Sequence, residues 1–528
     1  MAFNNLDSKD YKFVVVGGGT SGWLTALFLR KEYPNVSITL IESSEIGILG
    51  AGEGSTPHLV NFLQELNISA SDIVKHAGGT IKNGIKFTNW NGDNKYYYHG
   101  FSTDNYSVNY NQNTTIGQSI LSLEALERIA NREPLNKIDL TYITCEDYTT
   151  KFVVSSNIEN KTQDNTYHFD ILGPYALHFN AVMLADFLKF VGKARNIKVI
   201  ESTVSKINTD KEGNITSLTL INADPTIRCD FVFDCSGFKR KIIGDFFNNN
   251  WKSYKEYLPV NKSMTFFSPI KNGEIPPYTE AIAMKYGWMW KIPLQDRYGC
   301  GYVFDSNQID DESIKKEIDE YTGTDTVINR QFTFEAGQYE TPWIKNCVAI
   351  GLAAGFIEPL EATSIWVTIS SLRYFSQHIR GLIFSDPYQM KSYNDSVLKL
   401  NQEILNFIYF HYLTERTDTP FWANFNTNNK APEMVQKLLD NNDALILSNV
   451  TESGINNIYF TIDSWLQVGT GINFYDCQKA KEAFDSFNIG IRKIRYKAQL
   501  QKYIKNIQLV RSSLINHKTL LSYLSERY

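Results

Sequence analysis

KFVVVGGGTSGW, residues 12–23, decides the fold. Lys12 to Val16 reads as a short buried strand, and Trp23 to Arg30 opens an apolar helix. Between them Gly17, Gly19 and Gly22 occupy the three glycine positions of G-x-G-x-x-G. The first permits a tight turn, the second lets a pyrophosphate approach the backbone, and the third lets helix and strand pack closely. The helix N-terminus adds free N–H groups and a favourable dipole for the phosphates. The next strand, Ser37 to Ile41, ends in Glu42, 20 residues beyond Gly22. A carboxylate there accepts both adenosine ribose hydroxyls and repels the extra phosphate of NADP. A bare glycine motif is weak, but strand, turn, helix, strand and carboxylate in register predict a dinucleotide site.

The chain of 528 residues is long enough for two domains or one large elaborated one. With 43% hydrophobic and 21% charged residues it has the balance of a soluble globular protein. A formal charge of -5 argues against a nucleic-acid scaffold, whose phosphate contacts need a basic surface. The 6 cysteines, at positions 145, 229, 235, 300, 347 and 477, form no C-x-x-C pair. That spacing suits reduced thiols in the cytoplasm better than disulfides or zinc. No signal peptide and no bilayer-spanning apolar run is expected, and the 8 histidines show no ligand-like spacing, so no metal is expected.

Two later segments return to the nucleotide fold. Phe231 to Asp234 is another apolar strand, followed by Cys235, Ser236, Gly237 and Phe238, and NCVAIGLAAG (Asn346 to Gly355) is a strand entering a small-residue turn. Such returns after long insertions suit a flavoprotein with its catalytic domain threaded through its FAD domain, and small residues let a bulky ring lie against the backbone.

Trp288 to Pro293 reads W-x-W-x-I-P, and the GGGTSGW opening is followed by GEGSTP at Gly52 to Pro57. Tyr175, His178 and Phe179 form Y-x-x-H-F; Asn346 to Glu361 reads NCVAIGLAAGFIEPLE and His411 to Trp422 reads HYLTERTDTPFW. Together these segments resemble the flavin-dependent tryptophan halogenases, a branch of the flavin monooxygenases. The likeness runs from residue 11 to about 422 and weakens beyond. It implies an α/β fold: a Rossmann-like FAD-binding domain of the GR2 monooxygenase type, interleaved with a substrate-binding domain rich in helices and carrying an additional sheet. The expected division is 1–100 FAD core with the lysine segment, 101–165 substrate-domain insertion and 166–245 second FAD part. Then follow 246–340, the substrate-side sheet with W-x-W-x-I-P; 341–390, the third FAD part; and 391–528, a mainly helical region.

The resemblance makes Lys82, before the Phe87-Thr88-Asn89-Trp90 segment, the catalytic lysine, and Glu361, second glutamate of E-P-L-E, the catalytic glutamate. Taken alone, Lys82 would read as a solvated charge. Halide does not attack an aromatic C–H bond until it is oxidised, and reduced flavin with O2 supplies that oxidation, yielding hypohalous acid. An ammonium can hydrogen-bond hypohalous acid, or the amine can carry the halogen as a haloamine. Glu361 can steer the oxidant and accept the proton lost as aromaticity returns. The expected FAD-binding set is Gly17, Gly19, Thr20, Ser21, Gly22, Glu42, Gly52, Glu53, Gly351, Gly355 and Ile357. Backbone N–H groups of Thr363 and Ser364 are the expected halide donors. Trp288, Trp290 and Pro293 are read as a wall between flavin and substrate, His178 as a structural histidine.

The chain departs from the family in two places. After the glutamate stand Ala362, Thr363 and Ser364 rather than S-T-G, which points to bromide or iodide as the preferred halide. Trp465 to Gly471 (WLQVGTG) matches a later family segment, but Ser448 to Ser464 lacks the cluster that clamps free tryptophan. An indole, phenol or related arene is therefore the expected substrate. No second nucleotide fingerprint marks an NADH site, so a separate flavin reductase is the expected partner. Two alternatives share the FAD site: an aromatic hydroxylase, which would not need Lys82, and a non-catalytic FAD-binding protein. Asn424 to Lys430 and Asn441, Asn442 read as surface loops. The helical pattern beyond Phe484 reads as packing on the enzyme body or as a homo-oligomer contact, not as a membrane segment.

Overall fold

A computed structural model describes residues 11–43, 52–101, 120–131, 140–154, 169–221, 226–271, 273–379, 382, 386–428, 430–441, 460–487 and 490–526. The chain forms two compact units: Met1–Gly79, Phe179–Leu258 and Thr333–Ile404 make the first, and Thr80–His178, Pro259–Phe332 and Leu405–Tyr528 the second.

The first unit is built on a six-stranded sheet in the order Lys198–Glu201, Ser37–Glu42, Lys12–Val16, Phe231–Asp234, Cys347–Ala349, Trp343–Ile344. The first five strands are parallel and the last antiparallel. Val14 lies opposite Thr39 on one side and Val232 on the other. Phe13 to Val16 are all buried, which is why the strand is a continuous apolar run rather than an alternating one. Phe13, Phe233 and Phe375 fill one face, with ring centroids 5.6 and 5.0 Å apart along that path. The helices Thr20–Glu32 and Ala181–Ala194 pack together at Gly192, where a Cβ would collide with the Trp23 ring. Both predicted returns to the nucleotide fold are present: Phe231–Asp234 pairs with the first strand, and Cys347–Ala349 pairs with Phe231–Asp234 on its other side.

In the second unit a seven-stranded sheet runs in the order Ile328–Thr333, Lys262–Pro269, Arg297–Phe304, Gly287–Pro293, Tyr278–Ala283, Gly84–Thr88, Tyr96–Gly100. The strand Gly287–Pro293, carrying W-x-W-x-I-P, is antiparallel to both neighbours, and Tyr278–Ala283 is parallel to Gly84–Thr88. Gly301 faces Trp290 across the ladder, and only the missing Cβ leaves room for the indole. Helices dominate the rest, including Ile462–Gly471, Ile491–Arg511 and His517–Glu526. No helix among the described residues is long and apolar enough to cross a membrane.

The Asn-rich stretch corrects one expectation. A helix spans Pro420–Asn428, taking in most of the Asn424–Lys430 segment read as a loop, and Asn441 closes the helix Glu433–Asn441. Phe421, Trp422 and Phe425 are buried, and Trp422 packs on Trp90 at 5.6 Å, so tertiary burial overrides the weak helix propensity of asparagine. Asn442 and most of Ser448 to Ser464 lie outside the described residues.

Candidate active site

Gly17 makes the first turn with φ +120, and a Cβ there would meet the Cys235 carbonyl. Gly22 abuts the Gly17 carbonyl, which draws helix and strand together. Gly19 differs: a Cβ there meets nothing within 4 Å, so its side faces open space. The helix that follows has no side-chain cap and no acidic residue in its first turn. Its first residue, Thr20, buries a hydroxyl that has no partner among the described residues. Uncapped N–H groups, an orphan hydroxyl and open space at Gly19 together fit a dinucleotide pyrophosphate. Glu42 closes the turn: Trp23 Nε1 donates to its Oε2 at 3.3 Å, Lys189 pairs with Oε1, and a Cβ on Gly18 would strike its side chain. Carboxylate oxygens carry further lone pairs, so ribose hydroxyls still have acceptors.

The separation between Gly19 and Gly17 is testable. Gly19→Val should leave the melting temperature of the FAD-free protein within about 2 °C, because the side chain enters open space, yet weaken FAD binding by about tenfold or more. Gly17→Val should cost several kcal/mol of stability, through its φ and the collision. Thermal melts and flavin fluorescence titrations check both. Equal loss of stability in the two variants would contradict the assignment.

The third segment of the first unit returns to the same turn. Gly351, at φ +67, lies against Ser21, and Ser21 Oγ shares a hydrogen bond with Thr368 Oγ1 at 3.2 Å. Gly52 is buried, and burial pushes the carboxyl of Glu53 up to about 7. Pro359–Glu361 forms a 3-10 turn with Glu361 buried, and Ala362 ends it in the left-handed region at φ 55. For a non-glycine residue that conformation costs about 1 kcal/mol. Thr363 precedes the helix Ser364–Gln377 without a side-chain cap. Gly351, Gly355, Ile357, Thr363 and Ser364 line a cavity of about 10 Å³, close to the room one water needs. Asn401, from the helix Pro387–His411, lines it too, and no motif in the sequence announced that.

Lys82, Trp288, Trp290 and Pro293 belong to the second unit. Lys82 ends the strand Thr80–Lys82, is fully buried, and holds its Nζ 5.6 Å from the centre of the Phe101 ring. Trp288 and Trp290, two apart in a strand, share one face, with rings 6.1 Å apart. Neither buried indole N–H has a partner among the described residues. The Pro293 carbonyl accepts from Thr80 Oγ1 at 2.7 Å, tying the end of W-x-W-x-I-P to the lysine strand. His178 bonds through both ring nitrogens, to Thr80 and Thr279. Thr80, Thr279 and His517, which meets the backbone of Ile81, went unnoticed in the sequence, because only tertiary contact marks them.

A family model described as tryptophan halogenase matches residues 12–486. Tryptophan 7-halogenase RebH of Lentzea aerocolonigenes is 28% identical over 477 residues, 86% of each protein. Tryptophan 6-halogenase SttH of Streptomyces toxytricini is 28% identical over 437 residues, 79% of this chain and 81% of that one. Among solved structures, BrvH, a flavin-dependent halogenase from Brevundimonas sp. BAL3, superposes with a TM-score of 0.80 at 26% identity, covering 98% of this chain and 99% of its own.

Proposed function

Because the chain belongs to the tryptophan halogenase family, we propose that it halogenates an electron-rich arene other than free tryptophan, with Lys82 and Glu361 as catalytic residues. It is an oxidoreductase using FAD, halide and O2. The observation that carries the reading is the complete burial of Lys82. Lysine is almost never fully buried without a specific reason, so a solvated surface charge is excluded. Bound reduced FAD supplies the oxidising power, with O2, that turns halide into hypohalous acid. Lys82 then holds the oxidant by a hydrogen bond or takes the halogen onto Nζ, releasing water. Glu361 accepts the proton that leaves the ring.

The N–H groups of Thr363 and Ser364, at an uncapped helix end beside the small cavity, are donors for the halide. Ala362 and Ser364 favour bromide or iodide. Trp288 and Trp290 form a bulky apolar wall with Pro293, which hinders direct oxygen transfer to substrate. Trp465 is buried, with Phe407 and Phe410 ring centres 5.0 and 4.9 Å away, an aromatic neighbourhood that suits an indole or phenol as substrate class. A separate flavin reductase delivers reduced FAD.

The test is mass spectrometry of an indole and phenol panel incubated with enzyme, FAD, reductase and NADH under air. Chloride, bromide and iodide are compared with catalase present. The expected result is a halide-dependent mass gain, larger with bromide or iodide than with chloride. Oxygen addition independent of halide would make the enzyme a hydroxylase. Firm FAD binding without product would favour a non-catalytic FAD protein, and chlorination of free tryptophan as the fastest reaction would overturn both substrate and halide assignments.

A further inference from the structure

The strand that carries Lys82 is three residues long, too short to fix a side chain by its ladder alone. Its one described partner in this unit is Ala176–Phe179, with Thr80 opposite His178 and Lys82 opposite Ala176. The hydrogen bonds on Thr80 and His178 fix where their protons lie. Thr80 has a single hydroxyl proton, which goes to the Pro293 carbonyl at 2.7 Å, since a carbonyl cannot donate. In the 3.0 Å contact between Thr80 Oγ1 and His178 Nδ1, the imidazole must therefore donate. Nε2 of the neutral ring is then an acceptor, and Thr279 Oγ1 donates to it at 2.9 Å.

On the next residue a second imidazole repeats the device. Ile81 N donates to His517 Nε2 at 2.9 Å, and His517 Nδ1 donates to the Ile275 carbonyl at 2.9 Å. His517 itself is anchored by its backbone N–H on the Tyr148 carbonyl at 2.9 Å. Both rings are buried, and each is bonded at both nitrogens.

We propose that His178 and His517 are positioning residues for Lys82, gripping the two residues before it so that its Nζ meets the oxidant in one fixed place. The proposal rests on the assignment of Lys82 as the catalytic lysine. His178 acts through Thr80 and so also fixes the end of the Trp288 strand; His517 brings the C-terminal segment, 436 residues away in sequence, onto the Ile81 amide. Burial, and then Lys82 and His517, hold the His178 ring well below its ordinary pKa, which keeps it neutral, and the hydrogen bonds to Thr80 and Thr279 then set its tautomer.

The experiment measures two products in one vial, with FAD, reductase, NADH, air and bromide: brominated arene, using the arene brominated fastest in the panel, and free hypobromous acid caught by a soluble amine. His517→Leu removes the acceptor for Ile81 N, while His517→Gln restores an oxygen where Nε2 stood. Thr80→Val cuts the His178 path and leaves His517 intact. A lysine displaced by about 1 Å should lose about 100-fold in kcat. The expected signature in His517→Leu and Thr80→Val is that loss in kcat for arene, KM within about threefold and more escaping hypobromous acid. FAD affinity should be unchanged, and His517→Gln should recover most of the rate. Wild-type kcat in a folded His517→Leu enzyme, or a loss that glutamine does not repair, overturns the proposal. If the leucine variant does not fold, Thr80→Val and His517→Gln carry the same test. Lys82→Ala runs alongside: if it retains bromination, the lysine assignment itself falls. If it loses bromination while the folded clamp variants do not, only the clamp falls.

Discussion

Lys82→Ala is expected to lower arene halogenation by about 10³-fold while reduced FAD and halide continue to yield hypohalous acid, which escapes into solution. Both halves of that result matter. The amine handles the oxidant after it has formed, so removing it should not stop halide oxidation. Burial of Lys82 makes the variant informative, since alanine leaves a space without exposing another amine of the strand. Lys82→Arg separates the two roles open to the side chain. A guanidinium remains a charged hydrogen-bond donor but is never deprotonated in proteins, so it cannot carry halogen as a haloamine. Partial activity in the arginine variant favours hydrogen bonding to hypohalous acid, whereas loss equal to that of alanine favours halogen transfer through the amine. Simultaneous measurement of product and scavenged oxidant checks the outcome. Loss of both together would place Lys82 upstream, in halide oxidation, and remove it from the proposed role.

The legible parts of this protein were those whose chemistry is local. Phe13 to Val16 are all buried, so their apolar run showed in sequence, and Gly17 and Gly22 after it are required by φ or by close approach, whereas Gly19 faces open space. Glu42 was legible as a strand-end carboxylate, but its pairing with Lys189 was not, because a helix brings the ammonium in from 147 residues away. The helix at Pro420–Asn428 misled for a related reason: asparagine propensity is visible in sequence, whereas the burial of Phe421, Trp422 and Phe425 that overrides it is not. Ala362 was legible as a substitution, yet only the backbone reveals that it holds a left-handed turn. The motif residues Lys82 and Pro293 are named by sequence, but their link through Thr80 exists only once two strands meet.

Acid should destabilise the protein as pH falls below about 6.5, above the range in which ordinary carboxylates titrate. Burial lowers His517 from 6.5 to about 4, opposed only in part by its bond to the Ile275 carbonyl, and burial with Lys82 and His517 lowers His178 further in the same direction. A folded-state value below the unfolded one means that the unfolded chain takes up protons first. Stability is therefore complete above about pH 6.5 and falls as pH drops toward 4. For His517 alone the fall from 6.5 to about 4 is worth about 3 kcal/mol. In the first unit His58, lowered to about 4 by burial and then Arg373, acts the same way. Glu53, raised to about 7 by burial, acts in the opposite sense, since its folded form holds a proton that the unfolded chain has lost. Both are partly exposed, so their contributions are smaller and largely offset one another. The second unit has no such offset between His178 and His517. Urea unfolding followed at pH 7, 5.5 and 4.5 should show the loss, and His517→Gln, which cannot titrate, should remove about 3 kcal/mol of it by pH 4. A wild-type stability flat down to pH 4.5, or an identical decline in the glutamine variant, would show that burial does not hold His517 neutral.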